Sequence, residues 1–317
     1  MRVFITGGTG FAGSHLVDKL LTEGHELHAL VHESSSHQEL PADPGLTVVP
    51  GNLLQPDRLK EIVAAASPDV IYHLAGQASP GVSWQDPART MAINAGGTAN
   101  LLQAAVAYGR PRVVVVTSAE IYGPITQEML PLDESTPPQP RHPYGISKQA
   151  AGQFVDLYWQ RYQLPIIEAR PFNHIGPRQT LGFVVPDFAS QLAAIKLGQR
   201  EPQIRVGNLD AQRDFTDVRD VVRAYIDLAQ SGAPGEAYII ASGRPVSIRY
   251  LLDTLIELAG IEVDIEYDPA RMRPSETPLL YGSHEKITRD TGWQPEIEIR
   301  RSLADALDDW LARLEDG

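Results

Sequence analysis

An α/β fold built on a doubly wound parallel sheet follows from three features of this 317-residue sequence. Short apolar runs alternate with amphipathic stretches of helical period from residue 2 to residue 170, the rhythm of repeated β-α-β units. The first run ends in a glycine-rich turn that opens a helix. A later run carries four successive valines, Val113 to Val116, as a strand covered on both faces demands.

In chain order, residues 2–5 form a short apolar strand, and Phe11, Leu16, Leu20 and Leu21 supply the apolar face of the helix after it. Strands follow at 26–31 and 46–49, a helix at 58–66 and a strand at 70–74. A long helix spans 88–108, the valine strand 112–117, another long helix 142–162 and a further strand 166–169. Residues 1–170 therefore read as a dinucleotide-binding domain of Rossmann type. Beyond Arg170 the alternation stops, and Pro171, Pro177 and Pro186 punctuate a loop-rich passage. A smaller C-terminal α/β substrate lobe, residues 171–317, is expected there. Its helices fall at 188–197, 247–259, 285–291 and 302–314, and its short strands at 204–206, 238–240 and 263–267. The boundary is soft, because segments of the later half are expected to return to the first sheet.

With 43% hydrophobic and 21% charged residues the chain can bury a core, and it is neither disordered nor of low complexity. It has no cysteine, which removes disulfides, thiolate nucleophiles and cysteine-ligated metals together. No metal-ligand cluster stands out, so metal-free chemistry is expected. No apolar run approaches the ~18 residues of a membrane span. A net charge of −13 repels phosphate backbones and anionic lipid, so neither nucleic acid nor membrane is an expected partner, and the lack of cysteine makes a cytoplasmic location the best fit. An anionic small ligand is still compatible with that charge, provided a few arginines gather in one cleft.

The turn after the first strand reads Gly7-Gly8-Thr9-Gly10-Phe11-Ala12-Gly13. Residues without side chains let the backbone approach a pyrophosphate, and the helix N-terminus offers N–H groups and a positive dipole to its charge. Dinucleotide binding is the reading; the plainer one is a tight structural turn. At the end of the second strand stands Val31, where a carboxylate would accept bonds from the ribose of NAD. His32 and Ser34 to Ser36 follow as donors, with Glu33 opposing, so NADP(H) is expected ahead of NAD(H).

Tyr144 and Lys148, four apart, share one face of their helix. An ammonium beside a phenol favours the phenolate, which would bring the tyrosine pKa down and make it a usable proton donor and acceptor. Ser118 and Glu120 follow the valine strand at its C-terminal end, the edge where such sheets bind ligands. Ser118 can donate to a substrate oxygen, and continued period-two geometry would turn Glu120 to the same side. A capping serine, a solvated glutamate and a surface Tyr–Lys pair are the alternatives.

The glycine turn, His73-Leu74-Ala75-Gly76, Asn94-Ala95-Gly96-Gly97-Thr98, the serine strand and Tyr144 with Lys148 together resemble the extended short-chain dehydrogenase/reductase superfamily over nearly the whole chain. The resemblance implies that Ser118, Tyr144 and Lys148 form the catalytic set, with Glu120 as a further candidate, and that Lys148 also holds the nicotinamide ribose. It further implies that Gly7, Gly10, Phe11, Ala12, His32, Asn52, Leu53, Leu74, Ala75, Gly76 and Asn94 surround the cofactor. Asn52 departs from the pattern, which usually has an Asp facing the adenine.

Residues 170–174, 182–188, 206–218 and 273–282 look specifically like GDP-4-keto-6-deoxymannose reductases. That likeness implies a GDP-sugar substrate, with Asn173 and Arg213 on its diphosphate, Arg273 near the same diphosphate or ribose, and Val184 and Glu276 beside them. Arginine's planar fork suits phosphate oxygens, whereas pairing with Asp210, Asp214 or Glu276 is the plainer alternative. The implied reaction is hydride delivery to C4 with Tyr144 as proton donor, giving GDP-D-rhamnose. A GDP-mannose 4,6-dehydratase with Glu120 as extra base, or a related nucleotide-sugar epimerase, is the enzymatic alternative. A non-catalytic dinucleotide-binding sensor is the other. Family analogy also implies a homodimer whose two long helices pair in a four-helix seam.

Overall fold

The computed structural model describes residues 1–32, 40–271 and 277–315. Along the chain run β1 (Arg2–Thr6), α1 (Phe11–Thr22), β2 (Glu26–Val31), β3 (Leu46–Pro50), α2 (Pro56–Ala66) and β4 (Val70–His73). Next come α3 (Pro80–Gln85), α4 (Pro87–Met91), a π-turn at Ala92–Gly96, α5 (Gly97–Tyr108), β5 (Arg112–Val116), α6 (Pro143–Tyr162), β6 (Ile166–Pro171) and β7 (Asn173–Ile175). The later part contains α7 (Val184–Lys196), β8 (Gln203–Val206), β9 (Gln212–Asp217), α8 (Val218–Ser231), β10 (Ala237–Ile240) and β11 (Pro245–Ser247). It closes with α9 (Ile248–Ala259), β12 (Asp264–Tyr267), β13 (Leu279–Leu280), α10 (Glu285–Thr291) and α11 (Ile299–Glu315).

Seven strands form one sheet in the order β3-β2-β1-β4-β5-β6-β10, all parallel. Period-two alternation sends successive residues to opposite faces. Val3, Ile5 and Val114 join Leu16, Leu20, Val221 and Tyr225 under α1 and α8. Phe4, Val113 and Val115 join Leu59, Ile62, Leu101 and Val155 under α2, α5 and α6. That is the doubly wound arrangement expected of near-continuous apolar strands.

A smaller layer packs α7, α9 and α11 around Val206, Phe215, Leu252 and Leu303. Its strands are short: β9 is flanked by β7, β11 and β13, and β8 pairs with β12. β10, from the later half, hydrogen-bonds to β6 and completes the large sheet.

Two differences from the sequence reading have physical causes. The long helix expected over 88–108 begins at Pro87, capped by Asp86, and carries the π-turn at Ala92–Gly96 before α5. Helix α8 and strand β9 are present where neither was expected. Asp217 caps α8 by accepting from the Arg219 N–H, and Val218, Val221, Val222 and Tyr225 fill its buried face. Among the described residues no helix is long and apolar enough to cross a membrane, and no group of three or more His, Asp or Glu residues could hold a metal ion.

Candidate active site

One cleft of about 1130 Å³ runs along the C-terminal edge of the large sheet and on into the smaller layer. The glycine turn follows β1 at this edge, between the ends of β2 and β4. Gly7 has φ +80, and a β-carbon there would stand 2.6 Å from the Ala75 nitrogen. A β-carbon on Gly13 would run into the Gly7 carbonyl oxygen. Helix α1 starts at Gly10 with no side-chain cap and no acid in its first turn, which leaves its N-terminal dipole for an anion. This side-chain-free cradle fits a dinucleotide pyrophosphate. Phe11 and Ala12 follow it on the cleft wall, and the Phe11 ring stacks on His174 at 5.5 Å.

Further along the edge, Leu74, Ala75 and Gly76 leave β4 and line the same cleft. A β-carbon on Gly76 would stand 2.8 Å from Asn94 Oδ1 and 3.5 Å from Lys148 Nζ. On the other side of the glycine turn, past β2 and β3, His32, Asn52 and Leu53 close the cleft, with Asn52 Nδ2 3.4 Å from His32 Nε2. Residues 33 to 36, weighed for cofactor choice, lie outside the described residues. Asn94, expected against the cofactor, stands behind the wall. The π-turn buries its amide, which accepts from the Gln77 N–H and donates to the Gln77 carbonyl and to Ser147 Oγ.

Ser118, Tyr144 and Lys148 meet in the middle. β5 delivers Ser118, and the first turns of α6 deliver the other two, all three nearly buried. The Ser118 side chain stands close enough to the Tyr144 phenol to lower its pKa. Its hydroxyl also accepts from the Glu120 N–H at 3.1 Å, so it is both a cap and a cleft residue. Lys148 Nζ donates to the Val116 carbonyl at 2.9 Å. Burial pulls the lysine pKa down to about 8, opposed by the charge of Glu168. The tyrosine does not follow the expectation of a lowered pKa. Burial pushes it up to about 12, Ser118 lowers it and Glu120 raises it. Desolvation of the phenolate dominates, and the lysine ammonium is spent on a backbone carbonyl.

Glu120 shares the cleft with Ser118 by a different route from the one expected. Residues Ala119–Ile121 form a 3₁₀ turn, not an extended strand, and Glu120 Oε2 lies 2.9 Å from His142 Nε2. On the substrate side, Asn173, Val184 and Arg213 line the wall. Asn173 Nδ2 donates to the Asp214 carbonyl at 3.1 Å, and an Arg213 nitrogen donates to the Gln212 carbonyl at 2.8 Å. Burial lowers the Arg213 pKa while Glu120 raises it. Arg273 and Glu276 lie outside the described residues. Arg271, just before them, lines the cleft and pairs with Asp187 at 3.5 Å.

Sequence reasoning missed His142, Gln77 and Arg271. His142 was open to detection, since it precedes Pro143 at the first position of a helix, where a capping side chain is expected. Gln77 sits in a loop and Arg271 ends a short 3₁₀ turn, Pro269–Arg271, and neither segment carries a pattern.

Residues 4–306 match the family model described as GDP-mannose 4,6 dehydratase. The chain is 39% identical over 317 residues to the GDP-6-deoxy-D-mannose reductase of Pseudomonas aeruginosa, covering 99% of both. It is 32% identical to the GDP-mannose 4,6-dehydratase of Sinorhizobium fredii, over 93% of this chain and 92% of that one. Among solved structures it resembles RMD from Pseudomonas aeruginosa complexed with NADPH, at 36% identity and a TM-score of 0.86, covering 99% of this chain and 100% of that one. UDP-glucose 4-epimerase from Thermotoga maritima, solved with UDP-glucose, is similar at 27% identity and a TM-score of 0.91, over 99% and 100% of the two chains.

Proposed function

The chain belongs to the GDP-mannose 4,6-dehydratase family of extended short-chain dehydrogenase/reductases, and we propose that it reduces the C4 ketone of GDP-4-keto-6-deoxy-D-mannose to GDP-D-rhamnose with NADPH. The observation that carries this reading is the 39% identity to a reductase over the full chain, against 32% to the dehydratase relative. The resemblance to a structure complexed with NADPH supports NADP(H) as cofactor.

When bound, the nicotinamide supplies the hydride; the rest falls to the chain. The glycine cradle holds the pyrophosphate at the start of α1, and Lys148 holds the adjoining ribose. Ser118 donates to the C4 oxygen and so polarises the carbonyl. Tyr144, whose raised pKa keeps the phenol protonated before the reaction, gives its proton to the alkoxide. Arg213 and Asn173 take the diphosphate of the sugar nucleotide, since a guanidinium fork matches its oxygens.

A homodimer through α5 and α6 and a cytoplasmic setting complete the reading. Leu157, about half exposed on α6, supports the first, and the cysteine-free sequence the second.

Dehydration of GDP-mannose is the second reading, favoured by one feature: the Glu120 carboxylate in the cleft beside Tyr144. Incubation with GDP-4-keto-6-deoxymannose and NADPH, with the loss of NADPH absorbance followed and the hexose product identified, tests the choice. Reductase activity consumes NADPH and yields the 6-deoxyhexose. No consumption, with conversion of GDP-mannose by NADP⁺ instead, would give the answer to the dehydratase.

A further inference from the structure

Glu168 takes no part in the steps above, yet it is a buried carboxylate beneath the helix that carries Tyr144 and Lys148. Its neighbours on β6, Ile166, Ile167 and Ala169, are fully buried, and an aliphatic residue would fill the place without any cost of desolvating a charge. Instead Oε1 accepts from Thr117 Oγ1 at 2.7 Å and Oε2 pairs with an Arg170 nitrogen at 2.7 Å. The other terminal nitrogen of Arg170 reaches the Tyr122 hydroxyl at 3.2 Å.

The carboxylate lies against α6 at Gly152, where a β-carbon would stand 2.6 Å from Oε1. Glycine is required at this turn because the charged group occupies the space a side chain would need. Gly152 is one turn beyond Lys148 on the same face of the helix. The second approach is along β5: Thr117, which bonds Glu168, directly follows Val116, whose carbonyl holds Lys148 Nζ.

Besides the Val116 carbonyl on β5, the groups around Lys148 come from four elements. β4 presents His73, kept neutral by burial. α6 itself presents Tyr144, and the π-turn presents only the uncharged Asn94. β6 presents Glu168, with Arg170 beyond it. Asp156, further along α6, also feels Glu168 but lies two turns from Lys148. Among the described residues, Glu168 is the carboxylate whose charge acts on Lys148.

We propose that Glu168 is a positioning residue for the reduction, the buried counter-charge that keeps Lys148 an ammonium in a pocket that otherwise expels its charge. This rests on the reading above for the role of Lys148. Without the carboxylate, desolvation and the now unpaired Arg170 act in the same direction, and Lys148 loses its proton at a lower pH.

The test measures the charge on Lys148 with and without turnover. The pH dependence of Lys148 acetylation by acetic anhydride, followed by peptide mass spectrometry, gives its titration midpoint without any substrate. Glu168→Gln should lower that midpoint by about one pH unit, and the alkaline limb of the kcat profile should move with it. Thr117→Val, which removes the hydrogen bond and keeps the charge, should leave the midpoint in place. If Glu168→Gln does not fold with Arg170 unpaired, Glu168→Gln combined with Arg170→Gln removes both charges. The midpoint should then fall by less, but still below wild type. An unchanged midpoint in the folded variant overturns the proposal, and so does a shifted midpoint with an unmoved kcat profile. A wild type without reductase activity whose midpoint still responds to Glu168 would instead sink the functional reading and leave the counter-charge standing.

Discussion

Nε2 of His142 lies 2.9 Å from Oε2 of Glu120. Because Nδ1 of the same ring accepts from the Gly145 N–H at 3.0 Å, the proton sits on Nε2 and is donated to the carboxylate. The ring that caps α6 therefore also fixes Glu120, and it lies parallel to the Tyr144 ring at 6.0 Å. Glu120 is thus a placed acceptor whose hold on the cleft is geometric.

Placement of that kind survives a neutral isostere. Glu120→Gln still offers His142 an oxygen, so 4-keto reduction should fall less than about 10-fold. Wild type given GDP-mannose and NADP⁺ alone should leave the sugar unchanged. Formation of the 4-keto-6-deoxy sugar by wild type, abolished in Glu120→Gln, would make the carboxylate a base and the enzyme a dehydratase.

Tyr144→Phe removes only the phenolic oxygen. Calorimetric affinity for NADPH should stay near wild type while kcat falls by about 10² or more, the contribution of a positioned general acid. Turnover within about twofold of wild type would mean that another group gives the proton.

His73 sets a pH limit on stability. It is fully buried between Thr6 Oγ1 at 2.7 Å and Thr98 Oγ1 at 2.9 Å, and burial holds its pKa down at about 3. The unfolded chain takes up the proton below about 6.5 and the native state does not. Stability is therefore present above about pH 6.5 and is lost as pH falls toward 3, by about 1.4 kcal/mol per pH unit for this one proton. His73→Gln keeps a donor and an acceptor and cannot titrate. Urea unfolding at pH 7 and pH 5 should show a shallower pH dependence for the variant, and equal slopes would exclude His73 as the source.

Association should run through α5 and α6. Light scattering at micromolar concentration should give the mass of a dimer, and Leu157→Arg, which places a charge on the exposed face of α6, should shift it toward the monomer. A monomeric wild type would remove the four-helix seam.

Much of the sheet was legible because its strands are apolar and its turns are rich in glycine. Val113 to Val115 are buried on both faces as four valines in a row require. α8 was missed although Asp217 before Val218, Val221, Val222 and Tyr225 is a capped amphipathic start; it follows directly on the polar strand Gln212–Asp217, which has no apolar run to mark it. In the site, the glycine turn and the Tyr–Lys spacing were local signals and could be read. Asn94 and the Tyr144 pKa were not, since Gln77 and Ser147 take up the amide of the one and desolvation sets the other. Glu168 was beyond reach altogether: nothing in its own segment says that Gly152, Thr117 and Arg170 would gather around it.

The strand β10 has a consequence for biosynthesis. Its backbone closes the flank of β6, yet it leaves the ribosome some seventy residues later, roughly four to fourteen seconds at ordinary rates of translation. Until then the nascent sheet ends in an unpaired edge carrying Ile166, Ile167 and Ala169, the kind of surface that recruits other chains. A fragment cut at residue 170 would keep that edge for good, so it should aggregate where the whole chain does not.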